Sequence, residues 1–489
     1  MSARGMRGIV LSAIAALTGA GLLATGIGAQ EAAKPPAQPL ARGEIVDPVE
    51  CSGFPGQTYA LYLPSAYSAE RTWPALYTFD ARQDGRGVAE LYREAAERLG
   101  WIIISSNYAR SDEEMEPNIE AMKAMWADSH ARFSIDPRRV YATGHSGGAR
   151  AACVMGTLRK GEVAGVIGHG GGFPFNWPPT KDTQFAFYGL AGTRDFNFPE
   201  LLNLDRTLDA LGLDHHFESF DGEHAWSPPA EAGLALEWME LLAMRQGAAP
   251  RRPALIDSIW DHQNAVARKD EATDPVATLR REEGLVRDFA GLRPAAELEA
   301  VRAKAEALRA APATQQAIAE QAAIEKEQQA YLARAHGRLV EILRAIDDSS
   351  PSTAARELEV GRLRKEAEKA PTQYARFAAQ RTLNTLLGQT IFYLPREFAN
   401  RKDWPHALFL VGIATEIRPD SAGVWYALAA MRARSGDGRG AVSALKRAKD
   451  TGRIEARWLE KDTDFDSVRQ RSDFQALLAQ LQAQPAKND

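Results

Sequence analysis

Arg139-Val140-Tyr141-Ala142-Thr143-Gly144-His145-Ser146-Gly147-Gly148-Ala149-Arg150-Ala151-Ala152 joins an apolar, β-branched run to an alanine-rich one across a turn of glycines and one serine. Residues 139–143 read as a buried strand, and Ala149 to Leu158 as a helix. Between them stands G-x-S-x-G, centred on Ser146. A serine on a sharp strand-to-helix turn is forced into unusual backbone angles. Flanking glycines let the chain turn without side-chain clashes and display the hydroxyl at the top of a sheet. The pattern alone is unspecific in a chain with 39 glycines. The strand before it and the helix after it make Ser146 a candidate nucleophile.

Outward from this turn, residues 49–246 alternate two kinds of segment. Tyr59–Leu63, Ala75–Phe79, Trp101–Ser106, Arg139–Gly144, Ala164–Gly168, Phe185–Leu190 and His216–Phe220 are short, strongly apolar or β-branched. Val88–Leu99, Ile119–Phe133, Ala149–Leu158 and Pro199–Leu211 are amphipathic. Apolar strands separated by helices indicate an α/β fold with a mostly parallel sheet covered on both faces. Such sheets place their sites at the carboxyl ends of the strands.

Two strand ends supply partners for Ser146. Asp195 follows Phe185–Leu190, and His224 follows His216–Phe220. A serine hydroxyl is too weak an acid to attack unaided, so His224 is expected to take its proton. Asp195 is expected to fix the imidazole tautomer and stabilise the imidazolium. The order Ser146, Asp195, His224 is that of an α/β-hydrolase.

Residues 135–149, IDPRRVYATGHSGGA, resemble the nucleophile segment of the poly(3-hydroxybutyrate)-depolymerase and feruloyl-esterase-like branch of the α/β-hydrolases. Gly222-Glu223-His224-Ala225-Trp226 is similar to that branch's histidine motif. The resemblance implies Ser146 as nucleophile, Asp195 as acid and His224 as base, acting on a small-molecule or polymeric ester. Many relatives carry His-Gly after the strand before the first helix; here Thr78-Phe79-Asp80-Ala81-Arg82-Gln83-Asp84-Gly85 stands instead. One oxyanion donor is then the N–H of Gly147, and the other that of Ala81 or Arg82. A missing donor costs about 10²–10³ in rate.

Other residues have two readings. His169-Gly170-Gly171-Gly172 looks like a lipase oxyanion motif but lies after Ser146, so it reads as a strand-end loop lining the pocket. His145, His169 and Trp226 are candidate pocket residues; His145 and Trp226 are also readable as packing, and Trp177 with them. His215 and His216 read as structural. Arg82, Arg150 and Arg194 could anchor an anionic substrate group or form surface ion pairs. No metal-ligand spacing, G-x-G-x-x-G or P-loop occurs, so neither metal nor cofactor is expected.

At 489 residues, two or three domains are expected. Apolar content of 45% and charged content of 25% are ordinary for a globular chain. A net charge of −5 with no basic stripe argues against nucleic-acid binding. The two cysteines, Cys51 and Cys153, either form one bridge or stay as thiols; Cys153 in the helix after Ser146 favours the buried thiol. Residues 1–29, with Arg4, Arg7 and an Ala/Gly-rich apolar run ending in Ile27-Gly28-Ala29, read as a signal peptide of an exported (periplasmic or secreted) protein. A retained membrane anchor is the other reading; beyond this segment no integral membrane domain is expected. Residues 30–48, with three prolines between Glu31 and Arg42, read as a flexible leader.

The second half differs. Residues 247–370 are rich in Ala, Glu, Arg, Gln and Leu, and read as a spacer of long helices. In residues 371–485, Ala407, Val411 and Ala414 recur 34 positions later as Ala441, Leu445 and Ala448. That spacing resembles the tetratricopeptide repeat, which implies either a protein-partner scaffold or a region that packs on the catalytic domain. Three functions are open from the sequence: an exported serine esterase, a serine peptidase of the same fold, and a binding protein with a vestigial hydrolase domain.

Overall fold

The apolar runs assemble into a single sheet. The computed structural model describes residues 40–483 except 112–114, 270 and 272. Its strands are β1 (Ile45–Glu50), β2 (Thr58–Tyr62), β3 (Trp73–Phe79), β4 (Ile102–Ser106), β5 (Ile135–His145), β6 (Gly165–His169), β7 (Ala186–Gly192) and β8 (His215–Phe220). They lie in the order β1-β2-β4-β3-β5-β6-β7-β8. β1 with β2 and β2 with β4 are antiparallel, and from β4 to β8 the strands run parallel. With helices on both faces, this is an α/β-hydrolase fold.

The helices between strands are α1 (Gly85–Leu99), α2 (Glu116–Arg132), α3 (Gly147–Leu158), α4 (Phe198–Leu211) and α5 (Pro229–Arg245). Leu76, Ile103, Tyr141, Ile167 and Tyr188 pack with Tyr92 and Ala96 of α1 and Leu236 and Trp238 of α5. Side chains alternate across a strand, so their chain neighbours meet the other layer. Tyr77 stacks on Trp126 of α2 at 5.5 Å, and Phe217 meets Phe198 of α4 edge-on at 5.6 Å. Burial on both faces explains why these strands read as unbroken apolar runs.

One expectation is corrected here. The sequence reading places residues 45–48 in a flexible leader; in the structure they begin β1, with Ile45 opposite Tyr62 and Val46 opposite Leu61. Asp47 and Pro48 hide the strand's alternation, and an outermost strand tolerates proline. The signal-peptide segment 1–29 and residues 30–39 lie outside the described residues. Cys51 and Cys153 are both free and buried.

A long helical region follows: α6 (Pro253–Lys269), α7 (Pro275–Asp288), α8 (Ala295–Ala310), α9 (Pro312–Arg344), α10 (Pro351–Glu357), α11 (Val360–Lys369) and α12 (Gln373–Gly388). A π-helical turn leads to α13 (Leu394–Asn400), α14 (Trp404–Ile417), α15 (Ala422–Arg434), α16 (Gly438–Thr451), α17 (Ala456–Lys461) and α18 (Ser472–Gln482). Ala407, Val411 and Ala414 of α14 and Ala441, Leu445 and Ala448 of α16 are all buried. The described residues from Ala41 onward pack as one compact unit. No described helix is long and apolar enough to cross a membrane.

Helices α6 and α7 continue the apolar layer of α5, through Ile256, Ile259, Leu285 and Phe289. They are also pinned to β8 by charge. Arg281 donates to both oxygens of Glu218 at 3.0 Å, and His216 Nδ1 lies 3.2 Å from Asp288 Oδ2. Burial pushes the Glu218 carboxyl up, but the Arg281 guanidinium outweighs it and holds the group below its ordinary value.

The buried Glu240 of α5 ties sheet, helix and helical region together. It accepts from Trp101 Nε1 at 2.6 Å, from Arg139 on β5, and from Arg252 just before α6. Arg139→Ala should therefore lower the unfolding free energy by about 3 kcal/mol, the low end for a broken buried pair because Arg252 remains. Urea denaturation is the measurement, with Glu240→Leu/Arg139→Leu expected to cost less than Arg139→Ala alone.

Candidate active site

Ser146 stands where β5 gives way to α3, at φ 55° and ψ −117°. L-residues are rarely found there, and holding one costs about 1–3 kcal/mol. The surroundings fix it. Ser146 N–H donates to His169 O at 2.8 Å, tying the turn to the end of β6. A Cβ on Gly144 would lie 2.1 Å from the carbonyl carbon of Gly148, and one on Gly148 would lie 2.0 Å from Phe79 O. Both glycines of G-x-S-x-G are thus required by close backbone approach.

The structure brings Asp195 and His224 together from the ends of β7 and β8. His224 Nδ1–H donates to Asp195 Oδ1 at 2.8 Å. A carboxylate only accepts, so the proton of this bond sits on Nδ1. Asp195 is fully buried, and its Oδ1 also accepts the N–H of Asn197 at 2.7 Å. Asp195 Oδ2 has no hydrogen-bond partner. Ser146 is half-buried, and among the described residues its hydroxyl makes no hydrogen bond to His224.

Several further neighbours surround the pair. Gly170, at φ 56°, lies so close to the pair that a Cβ would sit 2.7 Å from Asp195 Oδ2 and 3.0 Å from His224 Nδ1. Its carbonyl accepts from Asn197 Nδ2 at 2.8 Å. Phe196 and His145 flank the His224 ring, at 4.2 and 4.5 Å. Ser111 approaches Gly147, where a Cβ would come within 2.2 Å of the serine's own. Adjacency to Asp195 is the one signal that could have found Phe196 and Asn197.

The expected pocket residues fall mainly behind the site. His169 is fully buried. Its Nδ1 accepts from Ser227 N–H at 3.3 Å, and its Nε2 donates to Tyr92 at 2.7 Å. With both nitrogens engaged and no exposed face it supports the site from within, which corrects its reading as a pocket lining. His145 is also buried and packs against the His224 ring at a 45° tilt. Trp226 donates to Asp80 Oδ1 at 3.1 Å and packs 4.7 Å from His169, joining the loop after β8 to the end of β3.

Asp80 also accepts the N–H of Asp84, shaping the turn that carries Ala81 and Arg82. Among the described residues, the N–H groups of Ala81 and Arg82 donate to no protein acceptor. Gly147, first residue of α3, has no intrahelical acceptor for its own N–H. Arg150 is engaged by both oxygens of Glu200 at 2.9 and 3.0 Å, and Arg194 pairs with Asp221. Arg82 is exposed. Among the described residues no group of three or more His, Cys, Asp or Glu could hold a metal ion.

No protein-family model matches the sequence, and no curated protein matches it. Solved structures similar to it are serine hydrolases and esterases. One is FphF, the Staphylococcus aureus fluorophosphonate-binding serine hydrolase F, at 13% identity and TM-score 0.33, over 41% of this chain and 99% of that one. Another is a feruloyl esterase module from Clostridium thermocellum, at 11% and 0.33, over 37% of this chain and 82% of that one. A third is a hyperthermophilic esterase from the archaeon Pyrobaculum calidifontis, at 14% and 0.30, over 38% and 78% respectively.

Burial pushes the His145 imidazole down to about 2 and that of His169 to about 3, from an ordinary 6.5. For His145, the neighbouring His224, His169 and Arg82 add to the effect. The unfolded chain then binds more protons than the folded one. The stability these rings contribute is full above the unfolded value and is lost as pH falls from there towards the folded values. Each should cost about 2 kcal/mol between about pH 7 and about pH 5. Thermal unfolding followed against pH should show His169→Gln losing less stability over that interval than the parent.

Proposed function

We propose that this chain is a serine hydrolase of carboxylic esters, with Ser146 as nucleophile, His224 as general base and Asp195 as the carboxylate that orients it. One observation carries the reading: the 2.8 Å Nδ1–H bond from His224 to the buried Asp195, formed on the sheet edge where Ser146 occupies its left-handed turn. The motif resemblance around Ser146 and His224 supports an ester, small or polymeric, over a peptide.

Catalysis then proceeds in two halves. Ser146 Oγ attacks the ester carbonyl while His224 Nε2 accepts its proton, a contact that closes when substrate orders the site. The N–H of Gly147, with that of Ala81 or Arg82, stabilises the oxyanion. His224 returns the proton to the leaving alcohol, giving the acyl-enzyme. Water, activated by the same imidazole, releases the acid and restores Ser146. Arg4, Arg7 and the apolar run after them support export to the periplasm or beyond.

Hydrolysis of p-nitrophenyl acetate and butyrate tests the reading. Ser146→Ala or His224→Ala should lower kcat by roughly 10⁴–10⁶. A fluorophosphonate probe should label the parent and not Ser146→Ala. Equal rates in the parent and Ser146→Ala would sink the proposal.

A further inference from the structure

Three side chains of the helical region hold the loops that carry the acid and the base. Arg381 on α12 donates through Nη1 to Thr193 O at 2.9 Å. Asn384, one turn on, donates to Arg194 O at 2.9 Å. Arg418, just after α14, bonds to Asn384 Oδ1 and to Glu223 Oε1 at 3.0 Å. Thr193 and Arg194 immediately precede Asp195, and Glu223 immediately precedes His224.

Arg381 is the unusual member. It is 1% exposed, held between the rings of Phe198 and Tyr374 at 4.5 and 5.0 Å. Its Nε and Nη2 have no hydrogen-bond partner. Removing a guanidinium from water is expensive, and an apolar side chain fills such a slot at lower cost. Two features of the slot require the arginine instead: the Thr193 carbonyl, and the buried Asp195 charge with one oxygen unpartnered.

We propose that Arg381 is a positioning residue of the active site, supplied by the helical region: it holds the Thr193–Asp195 loop by its carbonyl and sets a fixed positive charge behind the Asp195 carboxylate. The inference rests on the Ser146–Asp195–His224 reading above. The groups facing Arg381 are Tyr374 on its own helix, Glu325 on α9 and Asp195, with Arg280 of α7 lining the same cavity of about 200 Å³. Burial pushes the guanidinium down, and Tyr374, Glu325 and Asp195 oppose that. From the other side the His224–Asp195 pair meets His145 of β5, whose own neighbours include Arg82. The Glu223–Arg418 bridge flanks it in the base loop.

The test is kcat/KM against pH for the full chain and for Arg381→Met, Arg381→Lys and Asn384→Ala, each checked for folding by thermal melting. Arg381→Met should lower kcat about 10–100-fold with KM little changed. It should also move the acid limb up by about one pH unit, because losing a nearby cation lets the His–Asp pair bind its proton more tightly. Arg381→Lys should return the limb to its parental place. Asn384→Ala should lower kcat without moving the limb. A limb that stays put in folded Arg381→Met, or moves equally in Asn384→Ala, overturns the proposal. Should Arg381→Met not fold, Arg381→Gln, neutral yet able to donate to the carbonyl, makes the same comparison. A parent that neither hydrolyses the esters nor labels would refute the catalytic reading separately. In that case the titration of the His224 Nδ1 proton resonance still decides whether Arg381 acts on the pair: an upward shift in Arg381→Met upholds it, and an unchanged titration overturns it.

Discussion

Parallel register is the constraint on which this molecule depends. Strands running the same way end on the same edge, so the loops after β5, β7 and β8 meet although their residues are far apart in the chain. The pairing aligns Gly144 with Gly168 and Gly168 with Gly189 across three neighbouring strands. At the first two positions the chain folds back over its own strand. A Cβ at Gly144 would strike Gly148, and one at Gly168 would come within 2.3 Å of Gly171 O. The missing side chains let the turn carrying Ser146 and the loop carrying Gly170 lie low on the rim, against Asp195 and His224.

Beneath that rim lies a buried polar layer. His169, Tyr92 and Thr143 form one hydrogen-bonded chain, and Trp226 reaches across to Asp80. In a medium of low polarisability each bond is stronger and each unpaired charge dearer. Burial therefore keeps His145 and His169 neutral. This matters for the chemistry proposed at His224: a charged His145, 4.5 Å away, would oppose an imidazolium at the catalytic position. A neutral ring supports it by packing and leaves Asp195 as the charge that His224 meets.

What the sequence made legible follows from which interactions are local. Strands buried on both faces announce themselves as apolar runs, and so β2 to β8 stand where those runs fall, within a few residues. The turn at Ser146 is local too, as its glycines are adjacent to the residue they free. β1 was hidden because its hydrogen bonds, not its side chains, make it a strand, and Asp47 and Pro48 break its pattern. His169 looks like a pocket residue because both local readings of a histidine before three glycines place it at a site, whereas its partners, Tyr92 and Ser227, come from distant segments. Gly170, Asn197 and Arg381 act through contacts that span the fold, and no spacing rule reaches them.

The same reasoning bears on why the helical region is joined so closely to the edge that carries Asp195 and His224. β8 is the last strand of the sheet, so the loop after β8 has a neighbouring strand on one side and none on the other, and the loop after β7 bonds to it through the Thr193 and Arg194 N–H groups. The loop after β5 is held from both sides, by β3 through Phe79 and by β6 through His169. For the loop carrying His224, and through it the loop carrying Asp195, further support comes from outside the sheet. Helix α7 gives it at the strand, through Arg281 and Asp288. Helix α12 and Arg418 give it at the loops, through the carbonyls of Thr193 and Arg194 and the carboxylate of Glu223. The sheet ends at β8, and the helical region bonds to that strand and to the loops carrying Asp195 and His224.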